Sequence, residues 1–270
     1  MLTKNLSIRF TAAIVAGVLA LAGSAFGSIE PGFNANTLSG NDDGYVGPVA
    51  IGFNANYFGT TYSQLWVNNN GNVTFGSGMS TYTPFGLTGA LGKPIIAPFF
   101  ADVDTRTSNP VKYGPGTFGG NTAFGVTWNQ VGYYQTSTDR LNTFQLLLVD
   151  RSDIGPGDFD ICFNYGQIQW ETGDASGGSG GLGGSSAVVG YSNGTGDVGT
   201  NYQVPGSGVN GAFLDGGPNS LSTIGRMCFE VRNGEVTPIP PVPTPSAFLL
   251  GAIGLGCAGA VKRRSQRKKA

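Results

Sequence analysis

FQLLLVDRSDIGPGDFDICFNY, residues 144–165, decides the fold class. Its first arm, FQLLLV (144–149), is apolar at nearly every position and reads as a central strand buried on both faces. The second arm, FDICFNY (159–165), puts Phe159, Ile161, Phe163 and Tyr165 on one face, the period-two alternation of a half-buried strand. Gly155-Pro156-Gly157 supplies the turn between them. The aspartates around it (Asp150, Asp153, Asp158 and Asp160) lack the D-x-D-x-D-G order and the closing glutamate of an EF-hand loop. The segment therefore reads as strand, turn, strand.

The same pattern spreads outward. FGVTW (124–128) alternates, and GRMCFEV (225–231) puts Met227, Phe229 and Val231 on one face. LWVNNNGNVTFG (65–76) carries Asn70-Gly71, the preferred dipeptide of a two-residue type I′ hairpin turn. No helical periodicity and no repeat of fixed period interrupts these short strands. The expected fold is all-β, a sandwich-like antiparallel domain over residues 28–235.

Composition narrows the function classes. The chain has 270 residues, 40% of them hydrophobic, and 46 glycines without a collagen triplet. Its net charge of −1 conceals an uneven distribution, because eight of fifteen basic residues sit at the two ends. Between them stand seven basic residues against all sixteen acidic ones, a net charge of −9. Such a body is unsuited to nucleic acid, which is bound by neutralising phosphates. The absence of histidine removes Ser-His-Asp and Cys-His catalysis and His-containing zinc sites.

Residues 1–27 read as a secretory signal peptide. Lys4 and Arg9 precede the apolar run FTAAIVAGVLALAG, and Ala25-Phe26-Gly27 offers a small-residue cleavage site before Ser28. At the other end, prolines 238, 240, 241, 243 and 245 mark a stalk over 236–245. An apolar segment over 246–261 follows, expected as a short transmembrane helix of roughly 24 Å, and then a basic cytoplasmic tail over 262–270. Val242-Pro243-Thr244-Pro245, the apolar segment and the arginine-rich end together resemble the PEP-CTERM sorting signal of bacterial surface proteins. That resemblance implies an exosortase-type processing enzyme as a partner, membrane anchorage through the C-terminal helix before processing, and delivery to the cell surface or an exopolymer matrix.

Export permits disulfides. Cys162 and Cys228 lie on the less apolar faces of their strands, where they could meet across neighbouring strands as a disulfide or remain two unpaired thiols. Cys257 has no evident partner.

YFGTTYSQLWVNNNGNVTFG, KPIIAPFFADVDTR, GVTWNQVGYY, LNTFQLLLVDRSD and FDICFNYGQIQWETGDASGG occur in this order, and together they resemble the nidogen-type extracellular (NIDO) domain. The likeness runs from about residue 51 to residue 195, and more loosely to Asn233. It implies an extracellular β-rich module of the kind found in basement-membrane nidogen, tectorin-type and mucin-type proteins, tied to matrix assembly and adhesion, with no catalytic residues to carry over.

Within that frame Asp102 and Asp104 stand out. A strand continuing through both would put them on one face with Cα atoms about 6.6 Å apart. A structural reading has them accept backbone N–H bonds or pair with Arg106 or Arg140. A metal reading makes Asp102 and Asp104 the core of a calcium site completed by loop carbonyls. A catalytic reading needs facing acids across a scissile bond, which one strand does not supply. Asn41-Asp42-Asp43-Gly44 reads as a solvated turn, and GDASGGSGGLGGSS (173–186) as a flexible connection. Trp66, Trp128 and Trp170, with Tyr133 and Tyr134, could stack on sugars but are first of all core candidates, and Tyr133 and Tyr134, being adjacent, cannot both face the core.

The expected function is a non-catalytic secreted or cell-surface module of a bacterium, serving cell–matrix adhesion or exopolymer-matrix association. Matrix components or exopolysaccharide are the expected partners. The alternative is a calcium-dependent carbohydrate-binding module, and apart from that calcium no cofactor is expected.

Overall fold

The computed structural model describes residues 29–239. The expected signal peptide, the segment 246–261, the basic tail and the prolines beyond Ile239 lie outside the described residues. Among the described residues no helix is long and apolar enough to cross a membrane.

Two antiparallel sheets carry the fold. The larger follows the order β1 (Asn36–Leu38), β7 (Val111–Phe118), β8 (Asn121–Tyr133), β9 (Ser137–Asp150), β10 (Phe159–Tyr165), β15 (Arg226–Arg232), β16 (Glu235–Ile239). A short β6 (Val103–Asp104) also pairs with β8. The smaller sheet follows the order β14 (Asn201–Gln203), β13 (Val188–Ser192), β5 (Ile95–Phe100), β4 (Asn72–Thr74), β3 (Thr60–Asn68), β2 (Tyr45–Tyr57). β11 (Gly178–Ser179) and β12 (Leu182–Gly183) form a separate hairpin, and one helical turn, α1 (Leu221–Ile224), precedes β15.

The two-faced character of FQLLLV follows from its place in β9, between β8 and β10. Phe144, Leu146 and Leu148 enter the core shared by the two sheets, while Leu147 and Val149 pack on the outer face with Phe33, Ala123 and Cys162. Aromatic pairs join the sheets: Phe99 with Phe144 and Tyr191 with Phe229 at 5.2 Å, and Tyr57 with Phe159 at 6.3 Å. Full burial of one such ring contributes about 1.5–3 kcal/mol, so this layer dominates cohesion between the sheets. On the outer face Cys162 stands opposite Cys228 in the β10–β15 register, and the two are joined as a disulfide.

Three local expectations need correction. Asn68 pairs with Asn72 across β3 and β4, so the turn has three residues, Asn69, Asn70 and Gly71, and is not a two-residue type I′ turn. Only Gly71 has a positive φ, +72°, and a Cβ there would lie 1.7 Å from the Phe99 carbonyl oxygen. Burial of this turn against β5 selects the three-residue geometry over the local dipeptide preference. The glycine-rich stretch is not an unstructured connection, since Glu171 and Thr172 donate backbone N–H bonds to Gly181 and Ser185 to Ser176. Residues 236–239, read as the start of the stalk, pair with β15 as the edge strand β16, a position where Pro238 is tolerated.

Candidate functional site

IIAPFF forms β5 of the smaller sheet and ends at Phe100. Val103 and Asp104 already belong to the larger sheet, opposite Tyr133 and Gly132. The chain switches sheets at Ala101-Asp102, where the Val103 N–H donates to the Ala101 carbonyl at 2.9 Å, a tight bend centred on Asp102. Strand alternation therefore does not connect Asp102 to Asp104, and the two acids have different surroundings.

Asp104 is latched. The Arg106 guanidinium donates to it through Nε at 3.0 Å and through a second nitrogen at 2.5 Å, and the backbone N–H of Thr136 donates at 2.7 Å. Burial pushes its pKa up, but the Arg106 side-chain bonds and the Arg106 and Thr136 amides outweigh burial and hold it below the usual carboxylate value. Thr136 has φ +56°, a conformation costly for a non-glycine residue, and the charged acceptor helps hold it there. Asp104 thus fixes the tip of the β8–β9 hairpin.

Asp102 is 1% exposed, and neither of its carboxylate oxygens has a hydrogen-bond partner. It lines a cavity of about 210 Å³ with Asp42, Asp43, Tyr82, Tyr134 and Ala175. One carboxylate oxygen from each of Asp42, Asp43 and Asp102 lies within 4.8 Å of the others. Burial, then the charges of Asp42, Asp43 and Asp104, raise the pKa of Asp102 to about 7. The Ser176 hydroxyl pulls weakly the other way, although it is engaged with Thr83 at 3.1 Å and makes no hydrogen bond to Asp102. Asp42 rises to about 6 through burial and its acidic neighbours Asp104 and Asp43, against Arg106, which lies 3.2 Å away.

Buried asparagines place these acids. The Asn69 side-chain amide donates to the carbonyls of Asp42 and Val103, both at 2.5 Å, and its oxygen accepts from the Thr105 hydroxyl at 2.8 Å. Asn70 donates to Asp43 Oδ1 at 2.8 Å, and its own Oδ1 accepts the Val103 N–H at 2.9 Å. The β3–β4 turn thereby ties the loop 41–44 to the bend at Asp102. Asn41-Asp42-Asp43-Gly44 is a half-buried, pinned loop rather than a solvated turn. Asp42 and Asp43, unlike Asp102, were not singled out from sequence. The only local trace of their setting is the run Asn68-Asn69-Asn70, an unusual set of amides beside a strand.

The aromatic residues separate cleanly. Trp128 and Trp170 are fully buried and donate their indole N–H groups to the carbonyls of Asn69 and Val131. Trp66 is half-buried, Tyr133 joins the core, and Tyr134 turns outward to line the acidic cavity.

A family model for the nidogen-like domain matches residues 63–233, which include the asparagine turn, Asp102 and Asp104. The chain belongs to the nidogen-like domain family. Human alpha-tectorin is 32% identical over 232 residues, covering 77% of this chain and 10% of that protein. Chicken alpha-tectorin is 31% identical over 221 residues, covering 73% of this chain and 10% of that protein. Nidogen from Drosophila melanogaster is 30% identical over 201 residues, covering 65% of this chain and 14% of that protein. The nidogen-like chain thus spans about a tenth of the length of the tectorins it matches. No solved structure matches it.

Proposed function

We propose that this chain is a non-catalytic exported module that associates with extracellular matrix or exopolymer, anchoring a bacterial surface or its surroundings. The observation that carries this reading is membership of the nidogen-like family over residues 63–233, together with similarity to alpha-tectorin and nidogen. The signal-like leader and the PEP-CTERM-like end support export, surface delivery and exosortase-type processing. A carboxylate-based hydrolase draws no support from the acids, because Asp104 is neutralised by Arg106 and the remaining three converge on one point instead of flanking a bond. Deleting the chain from the producing cell and measuring attachment to matrix tests the reading, and unchanged attachment counts against it.

A second reading, calcium-dependent carbohydrate binding, is favoured by one observation: Tyr82 and Tyr134 stand at the acidic cavity, where aromatic faces and carboxylates could meet a sugar. Calorimetry against an exopolysaccharide panel, with and without calcium, separates the two readings, since only the second gives heat of polysaccharide binding that requires calcium.

A further inference from the structure

The buried Asp102 carboxylate calls for an explanation. A carboxylate taken out of water without a hydrogen bond or counter-charge carries a heavy desolvation penalty. Its two oxygens are both unpartnered, and Asp42 Oδ1 is a third buried oxygen without a partner in the same place. Arg106 pairs with Asp104 and Asp42, and among the described residues no basic side chain pairs with Asp102 or Asp43. Negative charge is therefore concentrated where the fold supplies one shared guanidinium, at Asp42, and none at Asp102 or Asp43.

We propose that Asp42, Asp43 and Asp102 form a divalent-cation site for calcium, built where the loop 41–44 meets the sheet-switching bend. The site is independent of the adhesive reading and does not require a carbohydrate. Its dimensions fit: opposed ligands at calcium–oxygen distances of 2.3–2.6 Å lie roughly 4.6–5.2 Å apart, and these three oxygens fall within 4.8 Å of each other. Its donors are all hard oxygens, which select calcium, magnesium or manganese over zinc or copper. Three carboxylates from two separate segments favour calcium, because magnesium keeps most of its water and is held by one or two carboxylates. The cavity of about 210 Å³ leaves room for waters to complete the coordination shell.

The surrounding structure is arranged for this use. Asn70 holds Asp43 Oδ1 and anchors the bend through the Val103 N–H, and Asn69 holds the Asp42 carbonyl. Both ligand-bearing segments are therefore positioned before any ion arrives. Gly173 forms the wall behind Asp102, where a Cβ would lie 2.3 Å from Asp102 Oδ2. The raised pKa values of Asp102 and Asp42 report the same uncompensated field that a cation would relieve.

The test uses the purified full chain stripped with chelator and titrated with calcium chloride, with magnesium chloride in parallel, read by calorimetry and thermal unfolding. Expected are one calcium per chain, a dissociation constant at or below about 1 mM, weaker binding of magnesium, and a rise in Tm with calcium. Terbium should also bind and luminesce on tyrosine excitation, because Tyr82 and Tyr134 line the site. Asp102→Asn and Asp43→Asn, the latter at a half-buried position, should each weaken calcium at least tenfold, whereas Asp153→Asn on the β9–β10 turn should not. A folded wild-type chain with no heat and no Tm change at 10 mM calcium would overturn the site. So would wild-type calcium affinity in folded Asp43→Asn and Asp102→Asn, or tighter binding of magnesium than calcium.

Discussion

Asp102 and Asp104 are separated by a single residue, yet Asp104 accepts four hydrogen bonds from Arg106 and one from Thr136, while neither oxygen of Asp102 accepts any. The bend between the two sheets is the cause. It turns Asp104 toward the β8–β9 hairpin and Asp102 into a cavity shared with the loop 41–44.

Asp104→Ala should therefore act on folding rather than on ligand chemistry. It removes the acceptor of the Thr136 N–H and of the Arg106 guanidinium, but Thr136 is an exposed residue, so the cost is that of lost charge-assisted hydrogen bonds, about 1.5–3 kcal/mol. Arg106 is partly exposed and regains water, which places the expected loss near the lower end. Urea unfolding of the variant against the parent measures it, and a loss within experimental error would show that the latch is not structural.

Asp102 gives the metal-free protein an unusual pH dependence. Its folded pKa, about 7, lies above the ordinary value of 3.8, so the folded state binds the proton more tightly than the unfolded state does. Stability from this group is complete below pH 4 and is lost as pH rises through about 7. The full loss is at most on the order of 4 kcal/mol, and solvent screening of the cavity mouth reduces it. Asp42, raised to about 6, adds to the same slope. Chelator-treated protein should thus become less stable between pH 5 and pH 8, and Asp102→Asn should flatten that slope. A slope that survives the substitution assigns it to other groups.

Asn69 is expected to be among the least replaceable polar residues. Its amide bonds the carbonyls of Asp42 and Val103, and its oxygen accepts from Thr105, all in the interior. Asn69→Ala orphans several of these groups at about 1–3 kcal/mol each, partly relieved by entering water. Thermal unfolding should show a drop of several degrees or more. Near-ultraviolet circular dichroism should change as well, because loss of the side-chain bonds shifts the turn whose backbone carbonyl at residue 69 accepts the Trp128 indole N–H. An unchanged melting point would mean that the network is dispensable.

Sheet composition was legible in the sequence because it is written in local alternation. FQLLLV and FDICFNY announce their faces, and the position of Cys162 and Cys228 on the less apolar faces is a matter of counting residues. The acidic site was only half legible. Asp102 could be singled out, but its partner was assumed to be the next acid on the same strand, an inference that fails where a strand leaves one sheet for another. Asp42 and Asp43 lie some sixty residues upstream, and nothing local distinguishes a pinned loop from a solvated one. The asparagine turn misled for a related reason: the three-residue geometry is imposed by β5 packing on Gly71, a tertiary contact that a dipeptide preference does not contain.

Glu171 was not legible at all, and it yields a further expectation. It is fully buried, accepting from the Ser186 hydroxyl and from the backbone N–H groups of Gly211 and Phe213, each at 2.6 Å. Three donors from two segments converge on one carboxylate, which fixes the loop before α1 against the start of the glycine-rich hairpin. Glu171→Ala should cost about 3 kcal/mol or more, since charge-assisted bonds contribute about 1.5–3 kcal/mol each. Glu171→Gln, which keeps the shape, should retain part of that. Equal stability of both variants and the parent, read by urea unfolding, would refute the anchoring role.

The Cys162–Cys228 link ties β10 to β15 across 66 positions of sequence. Reduction leaves the strand pairing intact but frees the unfolded chain, and in the chain-entropy account closing a loop of this size contributes about 4 kcal/mol. The double variant Cys162→Ala, Cys228→Ala should therefore fold with the same sheet signature but a lower Tm, about 4–8 °C for each kcal/mol in a small domain and less in one of this size. Peptide mapping without reductant should recover the linked pair from exported protein. If mapping finds two free thiols, or the variant melts with the parent, the outer face of the β10–β15 pair is held by Phe33 and Leu147 packing alone.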